Sequence, residues 1–115
     1  MRKFGHQTVG IDQGDLVLFS DFEDGGEMWT GEGARLTRRR VRFAERYKAA
    51  PIIQVSLSMW DIASGANARA DVTAEQIDRE GFDIVFRTWG DTRVARVRVA
   101  WISIGAVSSD DTWDL

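Results

Sequence analysis

"GFDIVFRTWGDTRVARVRVAWISIGAV", residues 81–107, decides the fold. Its first part alternates with period two: Phe82, Ile84 and Phe86 point one way, and Asp83, Val85, Arg87 and Trp89 the other. That is strand spacing, because successive side chains leave opposite faces of an extended backbone. Gly90-Asp91 supplies a tight hairpin turn, and "TRVARVRVAWISIGAV" (92–107) alternates again. Ala95, Val97, Val99 and Trp101 make its inner face, opposite Val94, Arg96 and Arg98. Further along, the outer positions Ala100, Ile102 and Ile104 are apolar as well. A small sandwich has few ways to bury both faces of a strand inside one subunit. The stretch therefore predicts a contact between subunits, with a loop or the C-terminal tail as the other available cover.

The same period runs outward from this stretch. "IIQVSLSMW" (52–60), opened by Pro51, sets Ile53, Val55, Leu57 and Met59 against Gln54, Ser56 and Ser58, a half-buried antiparallel strand. "RRVRFAERY" (39–47) turns Val41 and Phe43 inward and Arg40 and Arg42 outward. "DLVLFSDF" (15–22) reads as a short strand after "GIDQG", and "VTAEQID" (72–78) as another after the polar connection "DIASGANARAD" (61–71). "EDGGEMWTGEGAR" (23–35) is rich in glycine and predicts a loop that needs positive φ or close backbone approach. These segments recur about every ten residues with almost no helical periodicity, which predicts an all-β, six- to seven-stranded antiparallel β-sandwich. Residues 1–38 form an N-terminal strand and glycine-rich loop packing on the sandwich, 39–107 its core, and 108–115 an acidic tail, within one structural domain.

At 115 residues the chain is long enough for one real core. A net charge of −3 gives no general attraction to nucleic acid or anionic membranes, and no apolar run is long enough for membrane insertion. The start "MRKFGHQTVG" lacks a signal-peptide stretch, which predicts a cytoplasmic, released or particle-associated protein. With no cysteine and one histidine, His6, a zinc site or a histidine-based triad has no material, so no metal or cofactor is expected. The adjacent acids Glu23/Asp24 and Asp110/Asp111 lie in loops with nothing opposing them as acid to base, and "GEGAR" lacks the strand–loop–helix setting of a phosphate loop. An enzyme is not expected. The basic run "RLTRRRVRF" (35–43) places Arg38, Arg40 and Arg42 in one outward row, suited to pairing with acids such as Glu45 or Asp83 more than to a phosphate backbone.

What remains is a polar site rimmed by an aromatic. Sugar hydroxyls call for a carboxylate and a guanidinium or amide, and the sugar C–H face calls for a flat ring. Glu32, Asn67, Arg69 and Trp89 offer these groups.

At residues 39–106 the sequence resembles the H-type lectin family, the galactose/N-acetylgalactosamine-binding domain of snail agglutinins and of the C-terminal part of slime-mould discoidins. The resemblance runs through "VRF", "P-IIQVSLSMWD", "N-A-R-A-D-V-T-A" and "GFDIVFRTWGDTRVARVRVAWISIG", in order and without a large gap. It implies a six-stranded sandwich assembling as a homotrimer, or a hexamer of two trimers, with calcium-free sites between subunits. One subunit would give the arginine, Arg69, and an N-terminal acid, Glu32 or alternatively Asp24. Its neighbour would give the tryptophan, Trp89, and the next residue, here Gly90 where some members carry histidine. A late aromatic of the family falls on Ala95, so two contact groups are missing, and Asp91 is the turn's own Asx residue. The implied function is carbohydrate binding for cell-surface attachment, in a bacterial or phage-like setting. The alternative is a trimeric structural or assembly subunit of such a particle that has lost sugar binding.

Overall fold

The computed structural model describes residues 1–109. The expectations for Asp110, Asp111 and Trp113 lie outside the described residues. The elements are β1 (Val9–Ser20), α1 (Glu27–Thr30), β2 (Arg35–Arg42), β3 (Ile52–Ile62), β4 (Asp71–Glu75), β5 (Gly81–Thr88) and β6 (Val94–Ala106). They form two three-stranded sheets, ordered β1-β6-β3 and β2-β5-β4, with every pairing antiparallel.

The two most apolar strands, β5 and β6, are the centres of different sheets. The turn at Gly90-Asp91 is therefore a corner between sheets and not the hairpin expected from sequence. The reason is burial: Phe82, Ile84 and Phe86 meet Val97, Val99 and Trp101 across the core, and edge-to-edge pairing would leave both faces uncovered. Phe82, Ile84, Phe86, Val97 and Val99 are fully buried, each contributing about 1.5–3 kcal/mol of transfer free energy. Trp101 packs edge-on against Phe82 with ring centroids 5.4 Å apart, and Phe43 stacks on Phe82 at 5.8 Å. Ser103 continues the inner face of β6 and is bonded to the Tyr47 hydroxyl at 2.7 Å, which satisfies both buried groups.

Several boundaries differ from the alternation. β1 begins at Val9, ahead of Asp15, because Gly10 and Gly14 let its backbone lie close over the core. A Cβ at Gly14 would stand 2.4 Å from Trp101 Nε1. β2 starts at Arg35 and not Arg39. Val94 is fully buried, not outward with Arg96 and Arg98. Asp61 pairs with Arg96 while Ile62 pairs with Val94, so Ala95 is an extra residue in β6 and this bulge resets the alternation. A second bulge at Ser58 sets Met59 opposite Arg98, so Met59 leaves the row of Ile53, Val55 and Leu57 that packs on the core. A third, at Leu18 in β1, lies at the same level.

The outer faces contrast. On β2-β5-β4, Arg38 and Arg40 flank Asp83 at 3.0 and 3.3 Å, Arg40 reaches Asp78 at 2.6 Å, and Arg87 reaches Glu75 at 2.7 Å. The arginine row thus pairs with acids of its own sheet. On β1-β6-β3, Ile11, Ile104 and Ile52 stand side by side across three strands, with Ile102 beside them. Ile11 is 66% exposed, Ile52 48% and Ile102 37%.

Candidate functional site

Three chain segments meet at the end of the sandwich where β5 turns into β6. Gly33 N–H donates to the Gly90 carbonyl at 2.9 Å, which lays the glycine loop along the turn. Thr88 Oγ1 donates to the Arg69 carbonyl at 2.6 Å, and Thr92 Oγ1 donates to the carbonyl of Asn67. Residues near 33, 69 and 90 are therefore neighbours although the sequence separates them widely. The loop glycines serve the two needs expected of them. Gly33 has φ +75°, and at Gly26 a Cβ would stand 2.3 Å from the Asp21 carboxyl carbon. That carboxylate accepts from Met28 N–H at 3.0 Å and so holds the start of α1.

Arg35 locks these pieces together. It is buried and donates to four carbonyls: Gly33 at 3.0 Å, Met28 at 3.2 Å, Gly90 at 3.3 Å and Thr92 at 2.7 Å. Sequence reasoning does not single out Arg35, yet it has the inward parity of Val41 in a strand whose even-numbered arginines face out.

Arg69 lies against the turn from the β4 side. Its Nη1 donates to Asp91 Oδ1 at 2.6 Å and to Thr92 Oγ1 at 3.2 Å, and its side chain is 26% exposed. The Arg69 guanidinium holds the Asp91 carboxyl below the usual carboxylate range. Asp91 is thus the ionic partner of Arg69, beyond its part in the turn. Gly90 takes φ +69°, and a Cβ there would come within 3.0 Å of Arg69 Nη1. The space that a side chain at position 90 would need is taken by the arginine.

Trp89, just before the turn, is 47% exposed. With Leu36, Arg87, Ala34 and Glu27 it lines a groove of about 430 Å³, floored by Arg35 and Thr88. Arg69 does not line that groove. Glu32 is exposed and stands next to Gly33, at the turn. Asp24 sits in the exposed turn before α1 and makes no described bond to Arg69 or to residues 89–91. Ala95 borders a separate cleft with Phe22 and Trp29, two aromatics that sequence reasoning does not place at a site. Their signal was weak, because Phe22 ends a strand segment and Trp29 lies in the glycine-rich stretch, with nothing in the sequence to join them.

Known proteins resemble this chain in sequence and in fold. The family model described as H-type lectin domain matches residues 38–104. A protein of Fuscovulum blasticum called "ATP synthase subunits region ORF 7" is 52% identical over 108 residues, 94% of either chain. Discoidin-2 of Dictyostelium discoideum is 26% identical over 76 residues, 65% of this chain and 30% of that protein. Among solved structures, recombinant discoidin II of the same organism superimposes with TM-score 0.77 at 19% identity, covering 94% of this chain and 40% of that one. The tailspike protein of Pseudomonas phage LKA1 does so with TM-score 0.53 at 15% identity, covering 89% of this chain and 15% of that one. The chain spans less than half of these structural neighbours, and at such identities the likeness speaks to fold alone. The family match covers β3, β4, β5, the corner turn and most of β2 and β6, and by it the chain belongs to the H-type lectin domain family.

Proposed function

We propose that this protein is a non-enzymatic lectin whose homotrimer binds galactose- or N-acetylgalactosamine-type sugars between subunits. Its membership of the H-type lectin family makes it a carbohydrate-binding module. One observation carries the finer reading: the Arg69–Asp91 pair and the Trp89 ring flank the same turn, yet Arg69 does not line the groove beside Trp89. Each subunit then offers a hydrogen-bonding face and a stacking face. In a head-to-tail ring of three, one subunit's arginine meets the next subunit's tryptophan. Arg69 donates to a sugar hydroxyl through the edge that Asp91 leaves open. Asp91 and Glu32 accept from hydroxyls, and Trp89 covers the C–H face. Gly90 contributes backbone, and Asp24 is the alternative acid. Single contacts of about millimolar strength become firm attachment to repeating surface glycans when three sites act together.

The isoleucine face of β1-β6-β3 supports the assembly, since it is apolar and exposed in one subunit. The second reading, an assembly subunit of a bacterial or phage-like particle, has support in Gly90, Ala95 and the in-chain partners that Arg69 already holds. A glycan array run with wild type, Arg69→Ala and Trp89→Ala separates the two. The lectin reading expects binding that drops at least tenfold in both variants while light scattering still gives three times 13.0 kDa. No binding to any glycan, with an intact trimer, would leave the assembly reading in its place.

A further inference from the structure

We infer that the cleft between the end of β1, α1 and the bulge of β6 is a second carbohydrate site, one that takes a pyranose ring on Phe22 independently of Trp89. The cleft measures about 300 Å³ and is bordered by Phe22, Trp29, Glu23, Asp61, Arg96 and Ala95. None of these residues lines the Trp89 groove.

Phe22 is the stacking surface. The residue is 58% exposed, which is costly for a phenylalanine unless something covers it. It is also immobilised: the ring meets Trp29 edge-on, with centroids 5.1 Å apart and planes at 77°. Trp29 is clamped in turn, with the Arg93 guanidinium 4.5 Å from its ring centroid and Arg93 Nε donating to its carbonyl at 2.8 Å. The backbone of Phe22 is held by its N–H on the Ala95 carbonyl at 3.3 Å. An exposed aromatic fixed in this way loses little freedom when a ring stacks on it.

The polar complement is beside it. Asp61 and Arg96 form an ion pair at 3.4 Å, with side chains 54% and 57% exposed. So solvated a pair gains little from its own contact and can exchange it for sugar hydroxyls, one group accepting and the other donating. Glu23 adds a second acceptor at the rim. The mixed charge suits a neutral polyol, because an anion would meet two carboxylates and a cation Arg96. Ala95 borders the cleft with a side chain too small to fill it.

The test is saturation-transfer NMR on the full chain, with galactose, N-acetylgalactosamine, glucose and mannose as probes. Wild type, the Arg69→Ala/Trp89→Ala double variant, and Phe22→Ala and Asp61→Asn placed on each of these are compared, with melting curves to certify folding. The inference expects a pyranose signal that survives in the double variant and falls at least fivefold when Phe22→Ala or Asp61→Asn is added. It is overturned if the double variant is silent, or if Phe22→Ala and Asp61→Asn change nothing in either background. Binding lost with Arg69 and Trp89 but indifferent to Phe22 sinks this inference and leaves the intersubunit reading standing. Binding that depends on Phe22 alone does the reverse.

Discussion

Arg35 carries a full charge into the protein and surrounds it with carbonyl oxygens of four residues. A guanidinium suits such a place because its planar fork aims several donors at once, which an ammonium cannot do. Arg35→Met keeps much of the volume and strips these acceptors of their donor. The expected cost is about 2–4 kcal/mol in urea denaturation, well above that of an exposed arginine such as Arg42. The substitution also lets the glycine loop drift from the turn, so sugar binding is expected to fall along with stability. At this scale sequence reading was uneven. Arg69, Trp89, Gly90 and Glu32 do gather at one end of the molecule, and Asp24 stays apart from them. Arg35 stayed hidden because its partners are backbone carbonyls, which no residue type announces.

The outer face of β2, β5 and β4 carries ion pairs that join Arg38 and Arg40 to Asp83 and Arg87 to Glu75. Glu75 is the clearest member. The Arg87 guanidinium, with help from the Thr73 hydroxyl, holds its carboxyl down at about 2. A carboxyl with a depressed folded-state pKa stabilises fully above its ordinary pKa of 4.5 and loses that contribution as pH falls from there toward 2. Asp78 and Asp91 are shifted in the same direction. The melting temperature of wild type is therefore expected to fall through this window, and that of Glu75→Gln to start lower and fall less steeply. Parallel curves for the two proteins would remove Glu75 from the account. Elements of this kind were largely legible in the sequence, because period two survives wherever a strand is regular. It misled at Val94 and Met59, where one inserted residue flips every later side chain to the other face. It also could not tell a hairpin from a corner, since both use the same turn residues and the difference lies in which faces need covering.

Across the whole molecule the two outer faces divide the work. The charged face satisfies itself, while the isoleucine face of β1-β6-β3 has nothing among the described residues to lie against. Ile11→Glu puts a charge on that face without touching the core. If the proposed trimer forms through this face, the variant is expected to be a folded species of 13.0 kDa by light scattering, with an unchanged far-ultraviolet spectrum. A variant that remains trimeric would move the interface elsewhere. The bulges at Leu18 and Ser58 then acquire a further meaning. They sit in the two border strands of one sheet, at one level, on either side of Arg98. A border strand with a kink is a poor template for another strand, so copies of this chain cannot continue the sheet edge to edge. On the proposed reading, copies meet through the apolar face of this sheet and not by lengthening it, which favours a small closed ring over an endless filament.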